Sequence, residues 1–449
     1  MAASEGVTAL WRKEDWWAVW LGLGILACAV AFFLAGSTVG PLAVNPPQDW
    51  TAFSRVSAHF AGAWPWYALL FVVLGGVFTA STSVMGHPAR RFLPGFALIF
   101  VASVVILVVS QSRFFHTYSL EAPLVALVVG LLAGNLWRLP GWLDSALRTE
   151  YYIKTGIVLL GATLPLTAIV TAGPIAFFQA TIVSLCTWLV MFFVSTRVFG
   201  LDKRFGAVLG AGGAVCGVSA SIAVGGAVDA DKEHVAISIS IVSLWALVMI
   251  FFLPLASRAL GLHPGVAGAW IGTSEFADAA GYAAAQTIAS HSGTEAAIQT
   301  FTLMKVLGRD IWIGIWAFVL AIVSATMWER ASGAGGSGRR VGVGIVWARF
   351  PKFVIGFLVA SVIMSILVAT ASPDAAARVT SQLIAPIKVL RTWTFVFTFL
   401  CIGLTTRFRE LAKFGMPPFW AFTVGVAINV PLGYVLSTVV FRSYWIAVR

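Results

Sequence analysis

Apolar runs long enough to cross a bilayer recur along the whole chain, and they constrain the fold more than any other feature. In hydrocarbon every backbone N–H and C=O needs an internal partner, so a crossing segment is a helix or a strand of a closed barrel. The runs are continuous rather than alternating, which selects helices. Thirteen are read, at 15–35, 64–85, 91–112, 122–137, 152–170, 174–196, 205–228, 235–257, 266–288, 300–327, 349–370, 386–406 and 416–441. Most are near the ~20 residues that span a ~30 Å core. The expected fold is therefore an all-α polytopic membrane protein of about 13 transmembrane helices. With 59% hydrophobic and 10% charged residues, no soluble domain is expected and the lipid bilayer is the first partner.

The net charge is +11. In a soluble chain that would suggest nucleic acid; in a chain of this hydropathy the positive-inside rule accounts for it, and no nucleic-acid partner is read. With the N-terminus inside, nineteen of the 29 Lys and Arg fall on inside segments, eight on outside segments, and Lys305 and Arg309 within a span. A re-entrant segment would alter the parity of this topology. The first span reads as an anchor rather than a removed signal peptide.

Several chemistries find no support. Cys28, Cys186, Cys216 and Cys401 all lie in apolar runs without a C-x-x-C pair, so neither a disulfide framework nor a metal site is indicated. The histidines show no metal-ligand spacing, and there is no Walker A or G-x-S-x-G sequence. The chain is not expected to be an enzyme or to hold a cofactor, apart from Na+ or H+ as a coupling ion.

Gly206–Val228 is too rich in glycine for an ordinary membrane helix. Gly210, Gly212, Gly213 and Gly217 surround Cys216, and Ser219 and Ser221 follow. Such a break frees main-chain groups, and the N-terminus of a half-helix suits an anion. Close packing of small residues is the competing account. In Trp270–Gln286, Glu275 and Asp278 share one helix face. A lone ionised carboxylate at that depth is costly, so it should be protonated, ion-bound or salt-bridged. Lys305 and Arg309, with Asp310 beside them, lie four apart on one face of the next run. They form either an oxyanion site or buried salt bridges to the acids. Asn429, ahead of Pro431, ranks lower. On these residues the substrate site is Gly213, Cys216, Gly217, Ser219, Ser221, Lys305 and Arg309, and the coupling-ion site is Glu275, Asp278 and Gln286.

Ser332–Arg340, SGAGGSGRR, has the composition of a flexible linker. The expected organisation is an N-terminal extension of three spans at 1–121, a central region with both broken helices at 122–331, a cytoplasmic linker at 332–345 and three final spans at 346–449. GIVLLGATLPLTAI at 156–169 is echoed by CIGLTTRFRELAKF at 401–414, each followed by proline and a long apolar run. The two copies would have opposite orientation, as an inverted repeat requires.

Together GAGGAVCGVSASIAV, DKEHVAISISIVSLWALVMIFFLP, GAWIGTSEFADAAG and MKVLGRDIWI resemble the family named for proposed sulfate export, whose members are largely uncharacterised bacterial inner-membrane proteins. The resemblance covers roughly 122–440. It implies the larger bile acid, arsenite and riboflavin transporter superfamily, with inverted repeats, a panel domain and a core domain containing two crossing broken helices. Here these would be Gly210–Ser221 and Gly272–Gln286, with the repeat order permuted. Many relatives carry a His-Glu pair and a Gln where this chain has Ser274-Glu275 and Asp278. The expected function is a secondary active transporter of a small anion such as sulfate, sulfite or an organic anion. It would work by alternating access, coupled to H+ or Na+, in the bacterial inner membrane with a cytoplasmic N-terminus. An anion channel, or an embedded enzyme using Cys216, are the other readings. A homodimer through the panel or the N-terminal spans is left open.

Overall fold

A computed structural model describes residues 8, 10–117, 121–328, 347, 350–407 and 415–448. Among them the chain is helical, without a strand. The main elements are α1 Glu14–Leu34, α2 Phe53–Val84, α3 Ala89–Ser110, α4 Ala122–Leu136, α5 Thr149–Gly161, α6 Leu166–Phe193, α7 Lys203–Ala214, α8 Val218–Ala227, α9 Lys232–Ala259, α10 Pro264–Ser274, α11 Asp278–Ser292, α12 Ala296–Trp328, α13 Lys352–Thr370, α14 Ala375–Thr405, α15 Met416–Val440 and α16 Arg442–Ala447. Nine helices among the described residues are long and apolar enough to cross a membrane: α1, α2, α3, α6, α9, α12, α13, α14 and α15. The linker expected at 332–345 lies outside the described residues, as do 408–414 of the second sequence echo.

The difference from thirteen has local causes. The run at 122–137 forms the shorter apolar helix α4. The run at 152–170 is divided between α5 and α6 at Ala162–Pro165, where Pro165 has no N–H to continue the first helix. The runs at 205–228 and 266–288 are each two short helices.

The helices group into two compact units, one of 1–167 with 352–407 and the other of 168–351 with 408–449. In the first unit, α1, α5 and α13 run parallel. Asp15 and Gly22 of α1 meet Lys154 and Val158 of α5, and Gly161 of α5 lies against the Phe357 carbonyl of α13. Glycine also permits close approach between α4 and α14: a Cβ on Gly130 would lie 2.6 Å from the Leu400 carbonyl oxygen. In lipid, where apolar surface gains little from mutual burial, such close packing holds helices together. A half-buried ionic cluster ties the starts of α1 and α5. Lys154 Nζ is 2.7 Å from Asp15 and 3.3 Å from Glu150, and Arg148 is 3.1 Å from Glu14.

The second unit is built around two helical hairpins. In the first, residues equidistant from the break pair with one another. A Cβ on Gly212 would lie 2.7 Å from Ser221 Oγ, one on Gly225 would lie 3.7 Å from the Val208 side chain, and Arg204 donates to the Asp229 carbonyl at 3.1 Å. In a straight helix positions 208 and 225 would be about 25 Å apart, so α7 and α8 are antiparallel. Helix α9 then returns parallel to α7, with His234 stacked on Phe205 at 4.3 Å.

The second hairpin repeats the arrangement. Gly268 and Gly272 of α10 face Ala297 and Met304 of α12, so these two helices are parallel. Helix α11 runs back between them in sequence, its Gly281 beside Phe301 and its end at Ser292 sharing a cavity with Pro264 at the start of α10. The expectation of two broken helices that cross is thereby corrected: each broken element turns back at its break. Asp202 caps α7, accepting from Arg204 N and Phe205 N at 2.8 and 3.1 Å, and Pro264 at the first position of α10 suits a helix start.

Candidate functional site

The tips of the two hairpins meet. The first tip is Val215-Cys216-Gly217 and the second is Glu275-Phe276-Ala277. Gly217 has φ +68°, and a Cβ there would lie 2.6 Å from the Phe276 carbonyl oxygen. Only glycine meets both demands, the left-handed backbone and the close approach. Gly213 sits one turn back, against Met191 and Phe422.

Each tip leaves the last carbonyls of α7 and α10 without intrahelical partners. Lys305 and Arg309 supply the missing donors. Lys305 Nζ donates to the carbonyls of Val215 at 3.0 Å and Glu275 at 2.9 Å. Arg309 donates from Nε to Ala214, from one terminal nitrogen to Gly272, Thr273 and Glu275, and from the other to Gly213, all at 2.8–3.3 Å. Two cations therefore stand at the negative ends of two half-helices, the favourable end of each dipole. Both side chains are fully buried. They project from a π-helical turn, Leu303–Arg309, in α12. That turn closes with Asp310 N donating to the Lys305 carbonyl at 2.9 Å, a local widening common at functional sites.

The acids occupy the other side of the second tip. Glu275 is fully buried; its Oε1 accepts from Phe276 N at 2.9 Å and Ala277 N at 3.2 Å, while Oε2 has no hydrogen-bond partner among the described residues. Asp278 opens α11, where a carboxylate suits the positive end of the helix, and its Oδ1 is 3.6 Å from Lys305 Nζ. Val218, Ser219, Ala277 and Asp278 are partly exposed, whereas Cys216, Glu275, Lys305 and Arg309 are buried. Access to the tips is thus from the side on which α8 and α11 begin.

Most of the residues expected at the site converge: Gly213, Cys216, Gly217, Ser219, Glu275, Asp278, Lys305 and Arg309 lie at or beside the tips. Ser221 is turned away, its Oγ 2.9 Å from Ser238 Oγ on α9. Gln286 is two turns along α11, about 12 Å from Asp278, and pairs with Tyr282 and Ser290. Sequence reasoning missed the six carbonyls that hold the cations, because main-chain acceptors leave no mark in residue type. It also missed Thr187, whose hydroxyl accepts from Asn429 Nδ2 at 2.9 Å between α6 and α15.

The helices and paired hairpins define a polytopic helical membrane protein. The family described as conserved hypothetical protein 698 matches residues 94–421, and the chain belongs to it. A UPF0324 membrane protein of Rhodopirellula baltica is 32% identical over 88% of this chain and 71% of its own length. One of Nitratidesulfovibrio vulgaris is 32% identical over 83% of this chain and 63% of its own. One of Nitrosomonas europaea is 30% identical over 96% of both. No solved structure matches the chain.

Proposed function

We propose that the protein is a secondary active transporter of a small anion, working by alternating access and coupled to H+ or Na+ through Glu275. The observation that carries the reading is the meeting of two hairpin tips around buried Lys305 and Arg309, beside a carboxyl oxygen with no hydrogen-bond partner among the described residues. Irregular backbone at membrane depth is tolerated where it lines a cavity or is buried in protein, and half-helix ends are suited to ions. The anion, of the sulfate, sulfite or organic class, meets Ser219 and the first N–H groups of α8. Lys305 and Arg309 lie behind the tips, hold them closed and lend the site a positive field. Lys305 exchanges between Asp278 and the anion. A cation taken up on Glu275 removes one negative charge from a low-dielectric site, so anion and coupling ion favour each other's binding.

The proposed architecture is a permuted inverted repeat. Helix α6 lies antiparallel to α7, with Trp188 on Gly210, as α15 lies antiparallel to α10, with the Val430 carbonyl accepting from Trp270 at 2.9 Å. Yet α6 precedes its hairpin in sequence and α15 follows its own. The proposed setting is the bacterial inner membrane with a cytoplasmic N-terminus. Replacing two expected spans by two hairpins leaves the parity as it was. Lys232 moves to the inside and Arg258 to the outside, so the inside count of nineteen stands.

Uptake of labelled sulfate and sulfite into proteoliposomes, with an imposed proton or sodium gradient, tests the reading. Accumulation driven by one gradient, and lost in Glu275→Gln, is the expected result. Flux that only equilibrates and ignores both gradients would make the protein a channel.

A further inference from the structure

A cavity of about 690 Å³ opens at the base of the second hairpin, away from the tips. It lies where α9 ends, α10 begins and α11 ends. Its lining includes Arg258 and His291, from the last turns of α9 and α11, together with Ser257 and Leu255. Among the described residues none that lines it is acidic. The Ser257 hydroxyl is buried and has no hydrogen-bond partner among the described residues. The side chains of Arg258 and His291 are exposed and enter no hydrogen bond or ion pair there. Two potential cations and an unsatisfied hydroxyl thus surround one space of ligand size.

The same cavity continues into an apolar surface. Leu255 is 70% exposed, and Phe251 and Phe252, one turn earlier on α9, are each 46% exposed. On a membrane-crossing helix such a face meets acyl chains, and the end of the helix lies at headgroup depth. Arginine is shaped for a phosphate, which it can hold through two parallel N–H donors. Basic residues in last turns also complement the helix dipole, but dipole complementation requires neither a cavity nor an unpartnered serine.

We propose that this cavity binds the phosphate of a membrane phospholipid, with Arg258, His291 and Ser257 on the headgroup and the acyl chains along Phe251, Phe252 and Leu255. A lipid held there fastens the base of the second hairpin to the end of α9.

The test uses the full chain in detergent, titrated with short-chain phosphatidylglycerol, with diacylglycerol and with inorganic phosphate, while thermal unfolding is followed. Phosphatidylglycerol is expected to stabilise the wild type. Its apparent affinity should be at least tenfold weaker in Arg258→Gln and also weaker in His291→Ala, two exposed positions whose replacement should leave folding intact. Diacylglycerol and millimolar phosphate should do neither. Equal stabilisation by diacylglycerol, or equal affinity in both variants and wild type, would overturn the site. Stabilisation by inorganic phosphate alone would overturn the lipid assignment in favour of a free oxyanion.

Discussion

Arg309 donates to the main-chain carbonyl of Glu275 at 2.8 Å, so the cation expected to bind substrate directly is bonded to the tip that carries the acid. The same guanidinium reaches five carbonyls in all, on both hairpins. Hydrogen bonds from a charged donor contribute about 1.5–3 kcal/mol each, and buried carbonyls left unsatisfied add to the loss. Arg309→Ala should therefore cost about 4 kcal/mol or more, an exceptional value for one side chain. Arg309→Lys should recover only part of it, because an ammonium cannot reach five acceptors in that fan. Unfolding of the detergent-solubilised variants checks this. A melting temperature for Arg309→Ala near that of the wild type would show that the carbonyl bonds do not hold the tips.

Glu275→Gln should leave the fold intact and abolish coupling. Among the described residues only Oε1 of Glu275 accepts hydrogen bonds, from Phe276 N and Ala277 N, and the amide oxygen of glutamine can take both. The other oxygen, without a hydrogen-bond partner among the described residues, becomes an NH₂ that can neither take up a proton nor ligate a cation. Melting temperature and gradient-driven uptake should be measured on the same preparation. Unchanged uptake with unchanged dependence on both gradients would remove Glu275 from the mechanism.

Gly217→Ala should be far more damaging than Gly261→Ala. Both glycines have positive φ, +68° and +58°, so both variants incur the left-handed penalty of about 1–2 kcal/mol. At Gly261 nothing among the described residues lies within 4 Å of the added Cβ, whereas at Gly217 it meets Val242 and the Phe276 carbonyl. Gly217→Ala forces the tips apart and should lose both stability and uptake. Equal shifts in melting temperature would mean that the tips do not pack as closely as this geometry requires.

Much of the site was legible because the lipid environment makes certain residues conspicuous. Glycines crowded around Cys216, acids at 275 and 278 and cations at 305 and 309 are each costly in an apolar run, and the fold brings them together. The direction of the chain after each break was not legible. A broken span and a re-entrant hairpin have the same length and hydropathy, and the pairings that separate them, Val208 with Gly225 and Arg204 with Asp229, depend on tertiary contact alone. The partners of the cations were hidden for a related reason. Lys305 and Arg309 near Glu275 and Asp278 read as salt bridges, but among the described residues Lys305 meets Asp278 at 3.6 Å while its hydrogen bonds and those of Arg309 go to backbone carbonyls. Ser221 and Gln286 satisfied the pattern of a site and are occupied by neighbours outside it.

The hairpins can be tested independently of transport. If α7–α8 is re-entrant, positions just before and just after it face the same compartment; if it is a span, they face opposite ones. Lys203→Cys and Ala230→Cys bracket the first hairpin, and Leu262→Cys and Gly293→Cys bracket the second. Lys203 and Gly293 are exposed and Leu262 and Ala230 partly so, which makes them usable for labelling once the native cysteines are replaced. A membrane-impermeant maleimide applied to intact cells, and then to inverted vesicles, should label both members of each pair from one side. The first pair should react from the side opposite to the second, because α9 crosses between them. Labelling of Lys203→Cys and Ala230→Cys from opposite sides would restore the crossing arrangement, and with it a tip geometry in which Lys305 and Arg309 are free to meet the anion directly.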